Sequence, residues 1–316
     1  MDRRKALVLA GLAAATGTTT LLAGCGGSDS VVPTPASNIV QLAQATPSLS
    51  ILVEAVVAAD LVATLSGPGP FTVFAPNNDA FAALLAELGV TKAALLADKA
   101  LLTTVLRYHV LGAKVEKAGV PIGKAIATVQ TGVFKVEAPG GILTITDGRN
   151  RTSKIIATDV QASNGVVHII DKVLLPANKN IVETATGAPN FSILVEAVVA
   201  ANLQGALSGA GPLTVFAPTN DAFAAALAEL GVTKAALFAN VPLLTKILTY
   251  HVVSGRVLKA DIPATPITSL QGETFTINPI FVLTDQRARL TNITATDLFT
   301  SNGVIHTVSR VILPRA

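Results

Sequence analysis

The sequence of 316 residues contains no tryptophan, a single cysteine and few charged side chains, which make up 14% of the chain. With one cysteine the chain cannot form an internal disulfide, and it lacks the cysteine pairs of common zinc and redox motifs. The net charge of +3 is small, and no cluster of Lys and Arg falls on a candidate helix. A nucleic-acid-binding protein needs such a cluster, so we expect no nucleic acid among the partners.

Long apolar runs are also scarce, and the clearest one begins close to the N-terminus. Four charged residues, Asp2 to Lys5, precede a stretch of small and apolar residues that ends at Leu22-Ala23-Gly24-Cys25. This order is typical of an export signal with a cleavage site. The pair Arg3-Arg4 occurs both in general secretion signals and in twin-arginine signals, so the sequence does not decide between these two export routes. The best later run, Ile51–Leu65, carries two acidic residues and is a poor membrane helix.

The cysteine at this cleavage point, Cys25, is the predicted lipidation site. The segment Leu-Ala-Gly-Cys resembles the bacterial lipobox, in which the cysteine is acylated and begins the mature protein. Residues 1–24 are then a signal peptide, and residues 25–36, rich in Gly, Ser and Pro, a flexible tether. Cleavage removes three basic residues and one acidic residue, which lowers the net charge from +3 to +1. We expect an extracytoplasmic, lipid-anchored protein. Because Gly26 follows the cysteine, the outer membrane is favoured if the host is Gram-negative.

The rest of the chain contains one long segment twice. Phe71–Lys92 and Leu213–Lys234 are identical at 19 of 22 positions, with an offset of 142 residues. The offset falls to 138 residues near the C-terminus, where Asn164-Gly165 returns as Asn302-Gly303. A period this long allows each copy its own core. The sequence therefore predicts two domains, residues 37–176 and 177–314.

Within each copy, the first half has helical periodicity and the second half alternates as strands do. In the first copy the pattern predicts a helix from Pro47 to Gly67, a strand at Phe71–Phe74, and further helices over 79–88 and 101–109. Apolar and polar residues then alternate on both sides of Pro139-Gly140-Gly141, which favours a hairpin. The order predicts an α+β domain whose helical half packs on an antiparallel wedge of strands.

Three blocks of each copy resemble the fasciclin-1 (FAS1) domain family. The first, of the type Thr-Val-Phe-Ala-Pro-Thr-Asn-Asp-Ala-Phe, lies at 72–81 and 214–223, and the second is a Tyr-His pair. The third, Asn-Gly-x-x-His-x-Ile-Asp-x-Val-Leu-x-Pro, is matched by residues 164–176 and less fully by residues 302–314. The resemblance implies two FAS1-like domains and a role in adhesion or matrix contacts, as in periostin-like matrix proteins.

The polar residues of these blocks are the candidate site residues. They are Asn78, Asp79, Tyr108, His109 and His168 in the first copy, and Asn220, Asp221, Tyr250, His251 and His306 in the second. Metal ligation or general-base catalysis by the histidines is one interpretation. A zinc site usually has three or four protein ligands, however, and no HExxH or CxxC spacing occurs. We therefore interpret the histidines and tyrosines as core groups, with Asp159 and Asp297 as candidate partners of the histidines.

The Asn-Asp pairs of the first block, Asn78-Asp79 and Asn220-Asp221, follow a proline at a predicted strand-to-helix turn. Asn and Asp at such a turn can accept hydrogen bonds from the first amides of the helix. We interpret both pairs as helix caps. Recognition of a partner at this exposed corner is the alternative.

Catalytic motifs are absent from the sequence. No GxSxG, P-loop or dinucleotide fingerprint occurs, and the glutamates Glu54, Glu87, Glu196 and Glu229 are expected on solvated faces. We predict a protein without catalytic activity, metal or cofactor that binds an unknown protein or polysaccharide at the cell surface or in the matrix. An extracytoplasmic protein that binds a small molecule or glycan, in a pocket between helices and sheet, is the alternative. An enzyme that uses the histidines is a third hypothesis.

Overall fold

The computed structural model describes residues 37–315. The predicted signal peptide, the lipidation site Cys25 and the tether lie outside the described residues. The first copy contains helices α1 (Ile39–Gln44), α2 (Ser50–Ala58), α3 (Val62–Leu65), α4 (Asn78–Leu88), α5 (Lys92–Ala97) and α6 (Lys99–Tyr108), and strands β1 (Phe71–Pro76), β2 (Val110–Leu111), β3 (Ala125–Ala127), β4 (Val133–Glu137), β5 (Thr144–Thr146), β6 (Thr152–Ala162) and β7 (Gly165–Ile170).

The second copy repeats this order of elements. It contains helices α7 (Ile181–Thr186), α8 (Ser192–Ala200), α9 (Gln204–Ser208), α10 (Asn220–Leu230), α11 (Lys234–Ala239) and α12 (Val241–Tyr250), and strands β8 (Leu213–Pro218), β9 (Val252–Ser254), β10 (Ile267–Thr268), β11 (Thr274–Ile277), β12 (Val282–Thr284), β13 (Leu290–Thr300) and β14 (Gly303–Val308). The predicted α+β class, with two tandem domains, is confirmed.

Each copy forms a sheet that is mixed rather than purely antiparallel. The strand order is β2-β1-β7-β6-β5-β4-β3 in the first copy and β10-β11-β12-β13-β14-β8-β9 in the second. Neighbouring strands run antiparallel except β1 with β7 and β8 with β14, which are parallel. No hairpin constrains these two pairs, because most of a copy separates their strands and forms a long crossover. The hairpin predicted around Pro139-Gly140-Gly141 is present as β4 and β5.

The helix predicted from Pro47 to Gly67 is interrupted. Asp60, inside this segment, has a φ of 55°, and the corresponding Asn202 has a φ of 54°. A left-handed residue cannot continue a right-handed helix, and Asp and Asn adopt this conformation more readily than most residues. The chain therefore forms two short helices, α2 and α3, at this point.

Two apolar cores lie in each copy. One core, between the helices and the sheet, contains Leu49, Phe81 and Leu102 in the first copy. The other lies within the curved sheet, where the rings of Phe74 and Phe134 meet edge to face with centroids 5.1 Å apart. This aromatic geometry is the favourable one, and the second copy repeats it with Phe216 and Phe275 at 5.2 Å.

A glycine is required where the parallel strands begin. A Cβ atom on Gly165 would overlap the carbonyl oxygen of Phe71, and one on Gly303 would overlap that of Leu213. These are main-chain oxygens of the paired strands, so they cannot move aside without breaking the ladder. The Asn-Gly pair of the third block therefore reflects a steric constraint of the fold.

The two copies meet at a junction with an apolar centre. Val133 of the first copy packs against Leu258, Phe299 and Val304, which are buried in the second. Beside it, Asn150 Nδ2 donates to the carbonyl oxygen of Phe299 at 3.1 Å, and Asn150 Oδ1 accepts from the amide of Phe299 at 2.6 Å. The side chain of Asn150 thus supplies the hydrogen bonds that an adjacent strand would supply.

A buried ion pair crosses the same junction. Lys135 Nζ lies 2.9 Å from Asp297 Oδ2, and the two side chains are 8% and 2% exposed. Burial alone would lower the pKa of Lys135, but its hydrogen bonds to Asp297 and Glu137 raise that pKa above the ordinary value. Asp297 Oδ1 also accepts from the amide of Lys259 at 2.8 Å. Both charges are therefore paired and hydrogen-bonded out of water.

We predict that Lys135→Met lowers the free energy of unfolding by about 3 kcal/mol, because it leaves the carboxylate of Asp297 buried without a counter-charge. Urea unfolding at pH 7 measures this. The control is Lys92→Met. Lys92 pairs with Glu54 on the surface, where both side chains are more than 40% exposed, so we expect a loss of no more than about 1 kcal/mol. Equal losses in the two variants would contradict the prediction.

Candidate functional site

The histidine that follows each long helix links the helix layer to the end of the sheet. His109 Nδ1 donates to the carbonyl oxygen of Val105 at 2.7 Å, and His109 Nε2 accepts from the amide of Leu174 at 2.9 Å. His251 does the same with Ile247 at 2.8 Å and Ile312 at 3.0 Å. Burial lowers the pKa of each ring to about 4, so both rings are neutral at pH 7. Both nitrogens of each ring are therefore engaged in hydrogen bonds, and neither is free to take up a proton near pH 7 or to bind a metal.

The histidine of the third block lies on the parallel strand pair. His168 Nε2 donates to the carbonyl oxygen of Val115 at 2.9 Å, and Nδ1 accepts from the amide of Asp159 at 3.2 Å. His306 is equally enclosed, between the carbonyl oxygen of Val257 at 2.8 Å and the amide of Asp297 at 3.2 Å. Burial lowers the pKa of His306. Both histidines bridge main-chain groups of separate segments.

Asp159 and Asp297, the candidate partners of the third-block histidines, lie beside those rings. They contact the rings through their main-chain amides and not through their carboxylates. Asp159 and Asp297 have positive φ angles, 59° and 62°, at irregularities of β6 and β13. This conformation turns each amide towards the histidine ring. The Asp159 carboxylate instead accepts from the amide of Lys117 at 2.7 Å, and Asp297 Oδ1 lies 4.0 Å from His306 Nδ1, beyond hydrogen-bond distance.

The two tyrosines fill the inner core and use their hydroxyls locally. Tyr108 Oη donates to the carbonyl oxygen of Val133 at 2.6 Å and accepts from the amide of Gly148 at 2.8 Å. Tyr250 Oη donates to the carbonyl oxygen of Thr274 at 2.9 Å. Burial raises the pKa of both phenols above the ordinary value, so neither is a source of protons near neutral pH.

The helix cap lies one residue before the Asn-Asp pair. Asn77 caps α4 through its side chain, which accepts from the amide of Ala80 at 2.8 Å, and Thr219 caps α10 in the same way. Asn78, assigned to capping from the sequence, instead accepts from the amide of Ile51 at 3.0 Å. A side chain at the first helical position points back across the turn, so it reaches α2 rather than its own helix.

The second copy repeats this contact, since Asn220 accepts from the amide of Ile193 at 3.0 Å. Asp79 and Asp221 are exposed in the first turns of α4 and α10, where their charge favours the helix N-terminus. Of the first block, these two aspartates therefore present polar groups to the outside. Under the alternative interpretation, recognition of a partner at this corner, they are the positions that would make the contact.

An asparagine of the third block, Asn164, is not among the candidate site residues, but its side chain joins separate segments of the first copy. Asn164 is 7% exposed, accepts from the amide of Ile39 at 3.0 Å and donates to the carbonyl oxygens of Leu65 and Gly67, both at 2.8 Å. Asn302 makes the corresponding contacts in the second copy. The sequence did contain a signal for this structural role, because the asparagine directly precedes the required glycine in both copies.

A buried aspartate and its arginine partner are also absent from the candidate site residues. Asp147 is 1% exposed, accepts from the amide of Leu175 at 2.9 Å and pairs with Arg151 at 2.9 Å. Arg151 continues to Glu87 at 2.7 Å. The second copy repeats the arrangement with Asp285, Arg289 and Glu229. Glu87 and Glu229 lie on exposed helix faces, as expected, and in addition an arginine from the sheet reaches each of them.

A groove of about 300 Å³ opens on the first copy between α3, α6 and β1. Its walls include Leu61, Leu65, Phe71, Val110 and Val129, with Arg107 at the rim. Within residues 37–315 no group of three or more His, Cys, Asp or Glu side chains is placed to hold a metal ion. In the same range, no helix has the length and apolar character needed to cross a membrane.

Comparison with known proteins identifies a family match over both copies. A family model described as the fasciclin domain matches residues 47–176 and 189–314. The protein sll1483 of Synechocystis sp. is 44% identical over 148 residues, which are 46% of this chain and 79% of that protein. The transforming growth factor-beta-induced protein ig-h3 of Sus scrofa is 29% identical over 262 residues, 79% of this chain and 35% of that protein.

Human periostin is 26% identical over 291 residues, so this chain spans about a third of the length of that relative, as it does for ig-h3. Among solved structures, a FAS1 domain pair from the insect cell adhesion molecule Fasciclin I aligns with 18% identity and a TM-score of 0.43. The alignment covers 84% of this chain and 97% of that one.

The buried neutral histidines predict a specific loss of stability in acid. The pKa of His109 and of His251 is about 4 in the folded chain, against an ordinary value of 6.5. Between these pH values the unfolded chain binds protons that the folded chain does not, so stability falls as the pH falls. The loss approaches about 3 kcal/mol for each ring near pH 4.

Urea unfolding at pH 7 and pH 4.5 measures this difference. His109→Gln combined with His251→Gln is expected to reduce the difference between the two pH values by several kcal/mol, whatever its effect at pH 7. Tyr108→Phe is the control, because it removes a buried hydrogen bond without removing a group that titrates in this range. The same pH difference in all three proteins would show that these rings are not the source.

Proposed function

The chain belongs to the fasciclin domain family, and on that premise we propose that it is a lipid-anchored protein of the bacterial cell envelope that mediates adhesion or matrix contacts. Its partner is a protein or polysaccharide at the cell surface or in the matrix. The proposed domains are residues 37–176 and 177–314, carried on a tether of residues 25–36 behind a signal peptide of residues 1–24. Both family-model matches fall within these bounds, and α7 begins at Ile181.

The observation that carries the proposal is that the histidines and tyrosines of the three repeated blocks lie inside the domains and hold them together. The four histidines and both tyrosines are almost wholly buried, and every hydrogen bond they make is to a main-chain group. A general base or nucleophile needs a lone pair or proton that a substrate can reach. These side chains are engaged in holding segments together, which favours a module that acts through its outer surface.

The duplication adds to this argument. The buried pair of Lys135 and Asp297 and the contact of Asn150 with Phe299 hold the copies in one arrangement. Two surfaces that are fixed to each other lose little orientational freedom when both bind one extended partner. Two individually weak contacts can therefore add up to a higher overall affinity. A lipid at Cys25 would keep the pair at the membrane, as adhesion requires.

The test is attachment of cells to surfaces and matrix polymers after deletion of the gene. Deletion is expected to reduce attachment, and the wild-type protein to restore it. A variant with Cys25→Ser is expected to lose incorporation of a labelled fatty acid, because acylation requires the thiol. Fatty-acid labelling and attachment counts measure the anchor and the adhesive role separately. Unchanged attachment after deletion would contradict the adhesive role, and fatty-acid labelling of Cys25→Ser would contradict an anchor at Cys25.

The groove of the first copy favours binding of a small apolar molecule as a second candidate function. Its walls are mostly apolar, with one cationic side chain at the rim, which suits a ligand with an apolar body and a polar end. A thermal-shift screen of the purified protein is expected to find a compound that raises the melting temperature. Thr103→Phe, which fills the groove, should abolish the shift, and Thr245→Phe at the corresponding position of the second copy should keep it. A shift that survives Thr103→Phe would place the ligand elsewhere.

A further inference from the structure

A second cavity lies at the junction between the two copies. Its volume is about 170 Å³, and its walls come from both copies and from the segment that connects them: Gln130–Val133, Gly148, Pro176-Ala177, Arg256 and Phe299–Ser301. Main-chain groups, hydroxyls and one amide side chain make most of this lining, in contrast to the apolar groove between α3 and α6. The cavity therefore has the character of a site for a polar ligand.

The half-buried side chain of Arg256 faces this cavity, and within residues 37–315 it pairs with no acidic group. The Nε atom of Arg256 is buried and has no hydrogen-bond acceptor within residues 37–315. Burial lowers the pKa of Arg256, and among the described ionisable groups only Tyr108 acts in the opposite direction. No carboxylate of that range balances the charge. The buried charge of Lys135 at the same junction is, by contrast, paired with Asp297.

A partly buried cation without a counter-charge raises the free energy of the folded chain, and a bound anion would offset that cost. Guanidinium is suited to this role because its N–H groups form a planar fork that matches the two oxygens of a carboxylate or phosphate. The hydroxyls of Thr131 and Ser301, both on exposed residues of the lining, offer further donors at the rim. The chemistry of the walls thus suits an oxyanion.

The corresponding residue of the first copy has an ordinary surface environment. This residue, Lys114, is exposed and pairs with Glu116 at 3.1 Å. Arg256 differs from it in residue type, in burial and in having no acidic partner. Arg256 lines the cavity between the copies, so this difference concerns the face that meets the other copy.

The cavity walls are also held in place by the family's tyrosine. Tyr108 Oη bonds to the carbonyl oxygen of Val133 and to the amide of Gly148, and both residues line the cavity. Gly132 packs against the ring, where a Cβ atom would lie 3.0 Å from a ring carbon. The first-copy wall is therefore preorganised before any ligand arrives, which lowers the cost of binding.

We propose that the junction cavity binds a carboxylate, from a small organic acid or from an acidic sugar residue, through the guanidinium group of Arg256. This site goes beyond the adhesive function, since it exists only where two copies meet. An acidic sugar residue would also connect the site to a polysaccharide.

The experiment measures the melting temperature of the purified protein in acetate, galacturonate and phosphate, with chloride used to keep the ionic strength constant. A carboxylate at ten times its Kd is expected to raise the melting temperature by about 2–4 °C. Arg256→Gln should abolish the shift, and Lys114→Gln, the matched change in the other copy, should keep it.

The three anions separate the sources of the carboxylate. A larger shift with galacturonate than with acetate supports an acidic sugar, and equal shifts support a carboxylate alone. A shift with phosphate only, no shift with any anion, or an equal shift in Arg256→Gln overturns the proposal. If Arg256→Gln does not fold, Arg256→Lys keeps the charge without the fork and should weaken affinity at least tenfold. Unchanged affinity in that variant also overturns the proposal.

Discussion

The structure depends on pairing main-chain groups that are buried between elements rather than within them. In each copy the chain leaves a long helix, crosses the sheet and returns along it, so carbonyl and amide groups at these crossings have no ladder or helix partner. A buried group without a partner would cost about 1–3 kcal/mol. His109, His168 and Asn164 meet this need because each has a donor and an acceptor on a short, stiff side chain. Their types are restricted by hydrogen-bond geometry, which accounts for their return at the same places in the second copy.

Much of the fold was predictable from the sequence, because the repeat and the periodicity report burial directly. The residues that the patterns missed follow other rules. The break at Asp60 comes from one left-handed residue inside an apolar run, and periodicity does not detect a change in φ. Strand β3 has three residues, too few to show alternation. The parallel pairing of β1 with β7 depends on how distant segments pack, and no local feature of Phe71–Pro76 indicates its direction.

The candidate site was predictable in part, for a related reason. The inward placement of His109 could be expected from its helix face, but its partner Leu174 lies 65 residues away, so the contact could not. Asp147 and Arg151 occur in a polar turn that looks like ordinary surface. Only the fold shows that Asp147 is buried under the segment that contains Leu175. Their recurrence in the second copy, as an aspartate and an arginine four residues apart, was the available signal, and it separates them from Asn150, which is replaced by Ala288.

The junction makes the two copies different even though their folds agree. At the face that packs on the first copy, the second copy has Leu258 and Phe299, both buried. The corresponding positions of the first copy are Glu116 and Gln161, which are exposed and hydrogen-bonded to each other at 3.3 Å. A polar face of this kind would lose hydration without gaining apolar contact, so it is not suited to dock another copy in the same way. The copies thus differ at positions where they touch, and agree in the histidines, tyrosines and asparagines that hold each domain together. Because the relative position of the copies is set by buried groups, any partner that engages both must match one spacing. That requirement restricts the partners of the pair more than the surface of either domain does alone.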